Sequence, residues 1–105
     1  MTEFTGDFRA KVDGDAIVRA GQHTMYGMIT GDLLVDQDAR IAVKGTVGGN
    51  LLVSDGAYAQ VSGIVIGAIR VSIGASVQIS GMVGSVSGPG SADILPGAIV
   101  GGLRH

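Results

Sequence analysis

The sequence predicts an all-β chain, a single-domain β-solenoid wound into about five triangular coils of roughly 18 residues. Three observations predict it. The stretches "ITGDLLVDQDARIAVKGT" from Ile29, "VGGNLLVSDGAYAQVSGI" from Val47 and "VIGAIRVSIGASVQISGM" from Val65 match column by column at a spacing of 18 residues. Each divides into sixes that nearly always open on an aliphatic residue, with apolar residues or glycine favoured at positions one, three and five. Glycine makes up 19 of 105 residues while 46% are hydrophobic, and that pairing of glycine with Val and Ile suits short strands joined by tight corners rather than disorder. Alternating side chains along a strand give one inward and one outward row. Coils stacked at about 4.8 Å would make a prism roughly 24 Å long.

The elements follow in chain order. Residues 1–11 form an N-terminal tail, in which Phe4 and Phe8 are expected to cap the first coil, because a solenoid end otherwise leaves strand edges and core open. The first coil starts at Val12, is one residue short, and opens its sixes on Val12, Val18 and Thr24. The three central coils open theirs on Ile29, Val35, Ile41, Val47, Val53, Ala59, Val65, Val71 and Val77. Their Gly31, Gly49 and Gly67 coincide, as do Ala39, Ala57 and Ala75, and Gly45, Gly63 and Gly81. A last coil from Val83 fits loosely, with Pro89 and Leu95 completing the series. Its two prolines, Pro89 and Pro96, read as a stop, since proline cannot donate to a strand ladder. The solenoid thus covers 12–100 and leaves 101–105 as a C-terminal tail.

The recurring "VDGDAIV", "ITGDLLV" and "VGGNLLV" resemble the coils of bactofilins, small polymer-forming bacterial cytoskeletal proteins built on a right-handed β-helix. The resemblance covers residues 12–82 and weakens in the last coil. It implies a right-handed winding and joints between copies at the coil ends. Long polar tails are usual in that family, whereas the flanks of the coils in this sequence are residues 1–11 and 101–105.

Little in the sequence points to catalysis. There is no cysteine, hence no disulfide, thiolate metal site or Cys nucleophile. Two histidines, His23 and His105, are too few for a three-His zinc site, and His23 is expected to be an exposed coil residue. Ser54, Ser62, Ser72, Ser76, Ser80 and Ser85 alternate with Val and Ile as a surface row without a neighbouring base. The Gly-rich "GSVSGPGS" of 84–91 has no phosphate-loop lysine. Asp15, Asp32 and Asn50 share one column, where turn-type side chains satisfying backbone groups are expected rather than a calcium site. The expectation is a non-enzyme without cofactor or metal.

Charge is unevenly distributed. Residues 1–44 hold 12 of the 16 charged side chains, leaving Asp55, Arg70, Asp93 and Arg104 for the remainder. The uncharged half is expected to expose Leu52, Tyr58, Ile64, Ile66, Met82 and Val86 as an interface. Self-association into an oligomer or polymer is the leading expectation. The alternative is a discrete protein-binding solenoid, such as an immunity protein that presents Asp13, Asp15, Asp32, Asp36 and Asp38 to a basic toxin. A net charge of -2 gives no reason to expect nucleic acid. The start lacks a secretory signal and no aliphatic run approaches membrane-spanning length, so a cytoplasmic location is expected, with membrane contact unsupported.

Overall fold

The computed structural model describes residues 2–3, 6–9, 11–88 and 90–103. It contains strands and turns and no helix among them. A leading part-coil supplies β1 (Thr2–Glu3) and β2 (Gly6–Phe8). The first full coil has β3 (Lys11–Val12), β4 (Ala16–Val18) and β5 (Gly21–Met25), and the second has β6 (Met28–Ile29), β7 (Leu33–Val35) and β8 (Ala39–Val43). The third has β9 (Thr46–Val47), β10 (Leu51–Val53) and β11 (Tyr58–Val61). In the fourth, β12 (Ile64–Val71) runs through a corner before β13 (Ser76–Ile79), and in the fifth β14 (Met82–Ser87) does so before β15 (Ser91–Ile94). Finally β16 (Ile99–Leu103) begins another turn.

Every strand pair is parallel, joining one coil to the next. Three rows result. The short row stacks β3, β6, β9 and the starts of β12, β14 and β16. The middle row stacks β1, β4, β7, β10 and the rest of those three long strands. Together they form one ten-stranded sheet, while β2, β5, β8, β11, β13 and β15 form the six-stranded long row. The prism measures 30 × 23 × 20 Å. This is a parallel β-solenoid of about five turns, as the repeat predicts.

The core is a set of aliphatic columns. Ile29, Val47 and Val65 line the short row, Leu33, Leu51 and Ile69 the middle row, and Val43, Val61 and Ile79 the long row, all fully buried or nearly so. Each such side chain contributes about 1.5–3 kcal/mol by leaving water. Corner glycines let the coils close up. At the long-to-short corner, Ser62 and Gly63 both donate their N–H to the Val43 carbonyl, at 2.9 Å each. A Cβ on Gly63 would collide with the Gly45 carbonyl oxygen below it, so only glycine fits the stack. The middle-to-long corner is a four-residue turn whose third residue has positive φ, namely Asp38 at 61°, Gly56 at 74° and Gly74 at 81°.

Several expectations need correction. The register pairs His23 with Ile41 and Thr24 with Ala42, so His23, not Thr24, takes the inward column of the first coil. The missing residue lies in the Arg19–Gly21 corner, where Gly21 pairs with Ala39. In the last coil Ala92 pairs with Val77, so Pro89 and Leu95 do not open the sixes, and Pro89 itself lies outside the described residues. Pro96 does not stop the ladder. It sits second in a Leu95–Ala98 turn closed at 3.1 Å with Gly97 at φ 90°, where proline's fixed φ is suited, and β16 follows. Pairing also extends beyond 12–100. Strands β1 and β2 lie within the expected tail 1–11, and β16 carries pairing into 101–105.

Candidate functional site

Three features of this prism bear on function: the Asx column, the C-terminal coil end and the outer faces. In the Asx column, Asp15 Oδ1 accepts the Asp32 N–H, Asp32 Oδ1 accepts the Asn50 N–H, and Asn50 Oδ1 accepts the Ala68 N–H, each at 2.8 Å. The side chains therefore reach along the prism and satisfy the backbone one coil on. A Cβ on Gly49 would fall on Asp32 Oδ1, which explains why each Asp or Asn follows a stack of glycines. The expected backbone-satisfying role holds for these residues, with the partner lying in the next coil. Among the described residues no group of three His, Cys, Asp or Glu could hold a metal ion.

Other acidic side chains make contacts of their own. Asp36 receives Arg19 at 3.1 Å and accepts the Gln37 N–H at 2.9 Å, while Arg19 also reaches Glu3 at 3.2 Å. Asp13 pairs with Lys11 at 3.6 Å, and Asp38 occupies a turn position. Tyr26 lies under Arg9 at 4.4 Å and near Lys44 at 5.7 Å. The charged half is thus largely tied up in contacts along its own surface.

His23 departs from expectation. It is 4% exposed, the buried polar residue of an otherwise apolar core, and its Nε2 lies 2.7 Å from the Arg19 carbonyl oxygen. His105 lies outside the described residues, as does Phe4. Phe8 is placed in β2 opposite Met25, but its side chain, and so its expected capping contact, lies outside the description.

At the C-terminal end the core is uncovered. Ile94 stacks on Ile79 in the same inward column, yet Ile79 is 0% exposed and Ile94 is 39% exposed. The next inward positions repeat the pattern, with Val77 buried and Ala92 exposed. The edges are open too, because among the described residues β15 pairs only with β13 and β16 only with β14. Asp93 is the one charged side chain described on this coil, and it points outward between Ala92 and Ile94.

The expected interface residues do not form one surface. Ile64, Ile66 and Met82 stand exposed together on the short row. Leu52 lies half-buried on the outside of the middle row, between Leu34 and Arg70. Tyr58 lies on the long row and donates its hydroxyl to Gln78 at 3.2 Å. Val86 belongs to the core, opposite Ile69, and is 3% exposed. Its misplacement has a clear cause, since the pairing slips by one residue between Val65 and Ala68 and turns Val86 inward. Ile99, next to Met82 in the same outward row, completes the patch and was not anticipated.

Fold and surfaces define a class: a parallel β-solenoid with an uncovered coil end and an apolar short-row face. The arrangement is compatible with the bactofilin fold. No protein-family model, curated protein or solved structure matches the chain. No helix among the described residues is long and apolar enough to cross a membrane.

Proposed function

We propose that this chain is a non-catalytic structural module of bactofilin type, which assembles with copies of itself by continuing the coil stack past its C-terminal end. The carrying observation is the contrast between Ile79 and Ile94, one column position apart along the prism, the first fully buried and the second 39% exposed. A further coil laid on β15 and β16 would cover Ile94 and Ala92 and pair the two free strand edges. The in-register 18-residue stacking of the central coils makes another copy of this chain the natural occupant. The cytoplasm is the compartment we assign to this role, with no cofactor and no nucleic acid.

The test compares the full chain with Ile94→Lys at micromolar concentration, by light scattering and negative-stain microscopy. Extended assemblies are expected from the wild type, with at least a tenfold rise in the concentration needed for the variant. A wild type that stays monomeric, or a variant that assembles equally well, would remove this reading. Circular dichroism of the variant guards against simple misfolding.

A further inference from the structure

We infer that the short-row face carries a second, lateral contact between copies of this chain, in which Ile66 of each copy seats on the glycine floor beside Ile66 of the other. This rests on the self-association proposed above and specifies how assembled rows meet sideways. The face is apolar and stepped. Ile64, Met82 and Ile99 form one outward row with exposures of 40, 45 and 57%, and Ile66 stands beside it at 61%.

Along its own row Ile66 has glycine on either side, Gly48 in the coil before and Gly84 in the coil after. Both glycines are enforced by coil stacking. A Cβ on Gly84 would lie 2.5 Å from the carbonyl oxygens of Ile66 and Gly67, and one on Gly48 would lie 2.9 Å from that of Thr30. Ile66 is therefore a knob fixed on a rigid backbone with a bare floor next to it. Little conformational freedom remains to be lost there on contact.

A knob adjoining a hole of the same kind is matched by itself after a two-fold rotation. With the prism axes antiparallel, Ile66 of one copy covers the floor at Gly84 of the other, and the reverse holds at once. The four side chains carry no charge, Lys44 lies at the edge of the cleft that Ile64, Met82 and Ile99 line, and the knob-and-floor shape is what favours an identical face over a different partner. Its four side chains expose on the order of 400 Å² per copy, within the roughly 300–600 Å² of the largest apolar patch on a typical monomer, which is often functional. Two such faces bury about 800 Å² in total, below the roughly 1,200 Å² of stable complexes. A single pair is therefore weak, and the contact becomes durable when coil-end joints hold many copies in line.

The test uses Ile66→Glu and Ile66→Cys in the full chain, the latter giving a sole thiol because the sequence has no cysteine. Wild-type assemblies are expected to lie in lateral pairs, and those of Ile66→Glu to be single but equally long. A short bismaleimide is expected to cross-link Ile66→Cys at least tenfold faster than a Gln60→Cys control on the long row. Paired assemblies in Ile66→Glu, or equal cross-linking rates, overturn the lateral contact while leaving the coil-end reading intact. If no polymers form, cross-linking at high concentration still decides: selective dimers uphold the face contact and their absence removes it. Pelleting with phosphatidylglycerol vesicles that is lost in Ile66→Glu, together with no dimer from Ile66→Cys, would assign the face to lipid and overturn the proposal.

Discussion

Replacing Asp32 with alanine removes one rung of the Asx column and leaves the Asn50 N–H, otherwise bonded at 2.8 Å, without its acceptor. A hydrogen bond to a charged group contributes about 1.5–3 kcal/mol, and the half-exposed position lowers this to about 1–2 kcal/mol for Asp32→Ala. For a domain of this size that corresponds to a fall in melting temperature of roughly 4–15 °C. Asp32→Asn keeps an acceptor oxygen in place, as Asn50 does naturally one coil on, loses only the charge assistance, and is expected to cost about half as much as Asp32→Ala. The assay is urea unfolding followed by circular dichroism, with the slope checked for two-state behaviour. Equal losses in the two variants would refute the reasoning. They would show that the negative charge, and not the acceptor, is what the column needs.

Other substitutions probe other parts of the stack. Gly63→Ala places a methyl group against the Gly45 carbonyl oxygen, and loss of cooperative unfolding or of soluble expression is expected; a variant within about 0.5 kcal/mol of wild type would contradict the close stacking. His23→Ala is expected to cost about 2–4 kcal/mol in urea unfolding, from the cavity and from the Arg19 carbonyl left without its 2.7 Å partner. A surface histidine would cost far less, so a near-neutral result would return His23 to the exterior. Arg19→Ala breaks exposed pairs with Glu3 and Asp36, and the same assay is expected to show under about 1 kcal/mol, shrinking further in high salt.

Much of the fold was legible because an 18-residue repeat transmits its register from coil to coil. Once Gly31, Gly49 and Gly67 are aligned, the inward columns through Leu33, Leu51 and Ile69 follow. The errors gather where a coil departs from that length. In the first coil one residue is absent, and the alternation alone does not say where. Placing the gap after Thr24 sent His23 outward, whereas the corner at Gly21, with φ 123°, absorbs it and sends His23 inward. Met25, aligned with Val43, Val61 and Ile79, was the available signal for the correct placement.

The last coil fails for the same reason twice over. One residue is lost between Val83 and Val86, and the following corner is shorter again, so that Ser76 pairs with Ser91. Val86 thereby moves into the core, and Ala92 takes the place given to Leu95. The uncovered coil end was not readable from sequence pattern. Ile94 occupies the same kind of position as Ile79, and only the lack of a coil stacked on it makes it a surface. The Asx column was legible in composition, but that its partners lie one coil on depends on register.

Electron cryomicroscopy of the wild-type chain at micromolar concentration tests the central claim most directly. Self-assembly by continued coil stacking requires filaments whose protomer width matches the 20–23 Å cross-section, with a layer line near 4.8 Å directed along the filament axis. Particles no longer than the 30 Å of a single chain, or filaments with that spacing running across the axis, would contradict it.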